Sequence, residues 1–154
     1  MADAKAKRVY ATIIASMDAQ NLKYKRDDDN LRVDLTFTTD DLDVALRFFV
    51  DENRQLIRLL SFLPGHFPED KRVEGAVATC IANHGMVDGS FDYDFSDGEI
   101  VFKLVNSYRD SDINPEVVAY MLRVALGMVD QYNDRFYDLA RGKMTIKDFS
   151  DLEG

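Results

Sequence analysis

The chain has no tryptophan, three prolines, two histidines and a single cysteine in 154 residues. One cysteine, Cys80, excludes an internal disulfide and fits a reducing cytoplasm. His66 and His84, the only histidines, belong to no full metal-ligand motif, so no metal centre is expected. Long hydrophobic runs are absent: nothing approaches the roughly 18–20 apolar residues that span a bilayer. The opening Met-Ala-Asp-Ala-Lys-Ala-Lys-Arg lacks the apolar core of a signal peptide, so the expected location is cytoplasmic. The glycines at 65, 85, 89 and 98 form no phosphate-binding pattern. Positive charge is the scarcer sign, 19 Lys and Arg against 28 Asp and Glu, for a net charge of −9. Such a field repels phosphate backbones and anionic surfaces, which argues against nucleic acid and membrane as partners.

What is present is core material. Hydrophobic residues make up 46% of the chain, with ten Phe and seven Tyr. The length fits one domain over residues 1–154, with a core from 4 to 141 and an acidic tail from 142 to 154.

The most informative stretch runs from Ser90 to Val105. Asp97-Gly98 reads as a hairpin turn. Closing it there sets Phe95 opposite Ile100, Tyr93 opposite Phe102 and Phe91 opposite Leu104 on one face, with Asp92 opposite Lys103 on the other. An apolar face of that size has to be covered, and the flanking chain supplies helices.

From the N-terminus, Val9, Tyr10, Ile13, Ile14 and Met17 make a helical stripe from about Asp3, the expected cap, to Gln20. Four strand signals follow: Leu22–Arg26, Leu31–Phe37, Asp43–Asp51 and Gln55–Leu63, separated by turn-forming residues. Their implied registers (Asp27 with Asn30, Phe37 with Leu42, Val50 with Gln55) agree on a single apolar face through all four, with Phe48 opposite Ile57. Pro68 and the acids after it open a middle helix whose stripe is Val73, Ala76, Val77, Cys80 and Ile81, ending at Gly85. Asn114-Pro115-Glu116 starts the longest helix, with Val118, Met121, Leu122, Ala125, Met128, Val129, Tyr132, Phe136 and Leu139 inward. The tail carries one short helical pattern, Ile146, Phe149 and Leu152. The expected fold is α+β, an antiparallel sheet of a four-strand meander plus a hairpin with three helices, in the order α-β-β-β-β-α-β-β-α.

This order resembles the YbjN-like domains, a bacterial group with the fold of type III secretion chaperones. The residues that carry the resemblance are Arg72, Ala82-Asn83-His84-Gly85, the hairpin around Phe95-Ser96-Asp97-Gly98-Glu99-Ile100, and Asp130-Gln131-Tyr132. It covers about residues 4 to 141. The resemblance implies a small, acidic, often dimeric, non-catalytic protein, loosely tied to regulation, with no catalytic residues or cofactor to carry over. The secretion chaperones have three strands before the middle helix, where this chain has four.

No catalytic set assembles. His84 sits where a helix end favours a cation, and Cys80 lies on the middle-helix stripe and reads as core. Asp92-x-Asp94-x-Ser96-Asp97-Gly98 hints at a calcium loop, but positions six and twelve are Asp97 and Lys103 where such a loop needs Gly and Glu. The least ordinary feature is an outer sheet face. The third turn's register sets Arg47 opposite Arg58, among Phe49, Leu56, Leu60 and Phe62. It reads as a homodimer interface or a peptide-docking site. Alternatively, the arginines lie over their apolar neighbours on a partly exposed strand pair. The expected function is therefore non-catalytic binding of a protein or peptide, chaperone-like or regulatory, or of a second copy. The other reading is a small-molecule sensor with a pocket between sheet and long helix, using Tyr24, Tyr93 or Tyr132 as polar handles.

Overall fold

Asp3 opens the first helix, α1 (Ala4–Ala19), with its carboxylate accepting the Ala6 N–H at 2.7 Å. The computed structural model describes residues 2–154. After α1 come β1 (Lys25–Asp27), β2 (Arg32–Thr38), β3 (Asp43–Asp51), β4 (Leu56–His66), a 3-10 turn (Glu69–Lys71), α2 (Arg72–His84), β5 (Ser90–Asp94), β6 (Glu99–Ser107), α3 (Pro115–Ala140) and α4 (Ile146–Asp151). The strands form one antiparallel six-stranded sheet in the order β1-β2-β3-β4-β6-β5. The α+β class, the meander and the hairpin are as the sequence predicts. The hairpin joins the meander through β6 against β4.

Side chains alternate across the sheet. Val33, Leu46, Phe48, Ile57, Leu59, Phe91, Ile100 and Phe102 all point to the buried face. The helices cover that face. α3 is the keystone: 26 residues, about 39 Å long, touching β4, β6 and the other three helices. Asn114 caps it, accepting the Val117 N–H at 3.1 Å, and its expected stripe is buried except for Met128, which is partly so. The tail folds back. Phe149 is fully buried, with its ring 5.4 Å from that of Phe136.

Every hairpin register differs from the expected one by two residues. The observed pairs are Asp27 with Arg32, Thr38 with Asp43, Asp51 with Leu56 and Asp94 with Glu99. The connections hold four residues, 28–31, 39–42, 52–55 and 95–98. The first is two residues longer than expected, and the other three are displaced along the chain by one. Three share one device. A strand-ending aspartate accepts a loop N–H (Asn30 to Asp27, Arg54 to Asp51, Ser96 to Asp94), and the fourth loop residue, Leu31, Gln55 or Gly98, takes positive φ. A shift of two leaves every side chain on its expected face and changes only its neighbours. So Phe48 faces Leu59, and Phe91 and Tyr93 face Phe102 and Ile100. Phe95 leaves the strand altogether. It sits in the loop, 57% exposed, instead of opposite Ile100. Asp92 lies opposite Val101, yet Lys103 reaches it diagonally at 2.8 Å.

The middle helix turns opposite to expectation. Gly75, Ala78, Thr79 and Ala82 are buried, while Val73, Val77 and Cys80 are exposed and Ala76 and Ile81 are intermediate. Close approach is the reason. A Cβ on Gly75 would lie 2.6 Å from the Tyr93 hydroxyl and 2.7 Å from the Phe67 ring, so the helix seats its smallest residues against the sheet. The larger stripe is left outside.

Candidate interaction surfaces

Two surfaces stand out, one expected and one not. The first is the outer sheet face. The helices lie on the opposite side, and Phe49, Leu56, Leu60 and Phe62 are only half-buried by one another. Arg47 and Arg58 are not opposite each other. Displacement of the loop by one residue sets Arg47 beside Leu60 and Arg58 beside Phe49. That removes the like-charge clash and creates two stacks instead. The Arg47 guanidinium lies 5.8 Å from the Phe62 ring centre, and that of Arg58 lies 4.9 Å from Phe49. Each stack at an exposed site contributes about 0.5–1 kcal/mol. Arg47 Nε also donates to Asp34 at 2.7 Å, and Arg58 lies 3.9 Å from Asp51. Their side chains remain 38% and 32% exposed. All six expected residues therefore share one face, with the arginines lying over aromatic rings.

The second surface was missed because its residues were read as core. Val73, Val77 and Cys80 line the open side of α2, and a shallow groove lies between Phe95 and Cys80, lined also by Ala76, Thr79, Asn83, His84 and Tyr93. The loop holding Phe95 is tied down. Arg72 donates to the Ser96 carbonyl, the Phe67 N–H donates to the Gly98 carbonyl at 2.9 Å, and Asp94 accepts from the Ser96 hydroxyl at 2.6 Å. The Ser96 bonds, side chain first, hold the Asp94 carboxyl below its ordinary range. The signal that could have revealed this face is the Gly75/Ala78/Thr79/Ala82 series, small residues at helical spacing.

Asn83 brackets edge strand β5. Its amide donates to the Phe91 carbonyl at 2.9 Å and accepts the Phe91 N–H at 2.7 Å. Two residues of the resemblance, Arg72 and Asn83, are thus latches between α2 and the β5–β6 hairpin.

The remaining candidates disperse. His66 is exposed, with Nδ1 3.3 Å from the Asp97 carbonyl, and His84 ends α2. Tyr24 donates to Asp18 at 2.6 Å, Tyr93 to the Arg72 carbonyl at 2.8 Å and Tyr132 to Glu153 at 2.8 Å, so these three hydroxyls do not converge. Among the described residues, no three His, Cys, Asp or Glu side chains cluster as metal ligands, and no helix is long and apolar enough to cross a membrane.

The YbjN family model, described as "Putative bacterial sensory transduction regulator", matches residues 10–138, and the chain belongs to that family. A search of the curated proteins finds no match. Among solved structures, a chain of the HopA1–SchA chaperone–effector complex superposes with a TM-score of 0.59 at 12% identity, over 87% of this chain and 99% of that one. A chain of the ExsC–ExsE complex gives 0.61 at 13% identity, over 84% and 93%. The shared feature is the fold.

Proposed function

We propose that this chain is a non-catalytic, cytoplasmic protein-binding module, chaperone-like or regulatory, that docks an acidic, apolar segment of a partner on its outer sheet face. The observation that carries this is the uncovered centre of that face. Phe49, Leu56, Leu60 and Phe62 offer apolar area, and Arg47 and Arg58 stand over it with their heads half exposed. Stacking fixes the guanidinium planes, so little side-chain entropy is lost when a partner carboxylate takes the free edge. The two solved relatives come from complexes with bound partners, which supports the same reading. β5 has the Phe91 N–H and C=O occupied by Asn83, so docking onto the face is favoured over adding a strand at that edge.

The test is fluorescence anisotropy with a panel of acidic–apolar peptides and their lysine-substituted counterparts. Wild type is expected to bind the acidic set, and Arg47→Glu with Arg58→Glu to lose it while keeping its circular dichroism spectrum. Equal binding by both proteins, or no preference for the acidic set, would sink the assignment.

A second reading, a small-molecule sensor, is favoured by one cavity of about 610 Å³ between the end of β4 and α3. Leu63, Phe67 and Phe136 floor it, and Asn133, Tyr137 and Arg141 stand at its rim. Its polar handles are therefore Asn133, Tyr137 and Arg141, not Tyr24, Tyr93 or Tyr132. A metabolite that raises the melting temperature of wild type but not of Phe136→Ala would favour it.

A further inference from the structure

The end of β4 leaves the sheet and walls one side of the cavity beside α3. Its pairing with β6 slips between Phe62 and His66, and this irregularity carries Leu63, Pro64 and Gly65 past the last turns of α3. A Cβ on Gly65 would meet one neighbour, the Tyr137 ring, at 3.8 Å, so the absence of a side chain there keeps the space in front of that ring open. Tyr137 is 49% exposed, an aromatic surface left uncovered at the edge of a cavity of about 610 Å³ floored by Leu63, Phe67 and Phe136. That volume falls within the range of small-molecule sites.

Charge identifies the occupant. Arg141, at the end of α3, reaches back over Tyr137: its guanidinium lies 5.0 Å from the ring centre and donates to the hydroxyl at 2.8 Å. Asp134, from the same helix, and Asp41, from the β2–β3 loop, also line the cavity. Among the described residues none of these three charged groups makes an ion pair. A simple anion would gain Arg141 but meet two carboxylates in a chain of net charge −9, and a simple amine would gain the carboxylates but meet the guanidinium. A neutral apolar molecule would use the floor alone. A zwitterion with an apolar body satisfies all of them together. Because Arg141 reaches back to Tyr137, its head stands about one helical turn, roughly 5 Å along the axis, from the Asp134 position. That spacing suits the adjacent carboxylate and ammonium of one α-amino acid. His66 lines the cavity too, with its Nδ1 directed at the Asp97 carbonyl, 3.3 Å away.

We infer, building on the small-molecule reading of this cavity, that it takes a free α-amino acid with a large apolar side chain. The ligand's carboxylate pairs with the free edge of Arg141, its ammonium with Asp134, and its side chain fills the space before Tyr137 that Gly65 leaves open. Peptide docking on the outer sheet face uses other residues and is independent of this site.

The test is isothermal titration calorimetry with L-phenylalanine, L-leucine, 3-phenylpropionate and phenethylamine on wild type, Arg141→Gln and Gly65→Leu. Both substitutions fall on exposed positions, and circular dichroism checks the fold of each protein. Wild type is expected to bind an amino acid at least about tenfold more tightly than the two analogues, each of which lacks one charged group. Arg141→Gln is expected to lose about tenfold in amino-acid affinity and its preference over phenethylamine. Gly65→Leu, whose side chain grows toward Tyr137, is expected to abolish binding. Failure of wild type to bind either amino acid overturns the inference. So does equal binding of 3-phenylpropionate or phenethylamine, or amino-acid affinity unchanged in Arg141→Gln or Gly65→Leu. The cavity reading is judged separately by a wider metabolite library. A different compound that raises the melting temperature of wild type but not of Gly65→Leu would overturn the amino-acid assignment and keep the cavity as a ligand site, and no such compound would overturn both.

Discussion

Tyr132 donates its phenol hydrogen to one oxygen of Glu153 across 2.8 Å, and Arg135 reaches the other oxygen at 3.0 Å. This pair closes the C-terminal segment onto α3. Phe149, fully buried between them in sequence, supplies the apolar half of the attachment. Phe149→Ala is expected to cost about 3–5 kcal/mol in urea unfolding. Glu153→Gln, at the partly exposed end, should cost less than about 1 kcal/mol. The reverse ranking would mean that charge, not the buried ring, holds the segment.

Stability should fall in alkali. Burial and the Asp28 carboxylate push the Tyr10 phenol up to about 12, and burial and Glu153 do the same for Tyr132. Their unfolded value is 10.0, so between pH 10 and about 12 the folded chain holds protons that the unfolded chain has released. The stabilisation is complete below pH 10 and is lost as pH rises through that window. Urea midpoints measured across it should decline, and less steeply in Tyr10→Phe.

Glycine substitutions should have opposite signs. Gly127 lies in the exposed interior of α3, and a Cβ there meets nothing within 4 Å, so Gly127→Ala is expected to stabilise by about 0.5–1 kcal/mol. Gly98 has φ +78, and a Cβ would fall 2.2 Å from the Phe67 carbonyl oxygen, so Gly98→Ala should destabilise by at least about 2 kcal/mol. Thermal melts of both variants decide this.

Asn83→Ala removes both bonds that occupy Phe91. The open edge should cost about 1–3 kcal/mol and raise the rate of aggregation measured by light scattering. An unchanged rate would show that α2 shields the edge without the amide.

Ser61 is wholly buried on the inner face of β4, and its hydroxyl has no partner. Ser61→Ala should therefore be neutral or stabilising by up to about 1 kcal/mol in the same unfolding assay.

Alternation and caps were legible in the sequence because they depend on one element at a time. The Asp3 and Asn114 caps, the α3 stripe and the inward faces of β2 to β6 follow from periods of 2 and 3.6, whereas the first strand, expected over Leu22–Arg26, is only Lys25–Asp27 and buries nothing. Register was not, because Asp97-Gly98 fits a two-residue turn locally, while the Asp94 side chain and the ties from Phe67 and Arg72 select a four-residue loop. The α2 orientation was not legible for a related reason. Hydrophobicity favours burying Val73 and Val77, but space against Tyr93 and Phe67 admits only Gly75 and its small neighbours. The six outer-face residues were grouped correctly, since a two-residue slip keeps faces intact. What changed was the neighbour of each arginine, from a like charge to an aromatic ring.

The position of α3 in the chain has a consequence for biosynthesis. All six strands precede it, and it is the element that lies against both β4 and β6 at the centre of the sheet. As the polypeptide leaves the ribosome, Ile57, Leu59, Phe102 and Leu104 are therefore made well before the helix that shields them. Until Leu139 emerges, the nascent sheet has only α1 and α2 over its apolar side, and the final collapse awaits release of that last long helix.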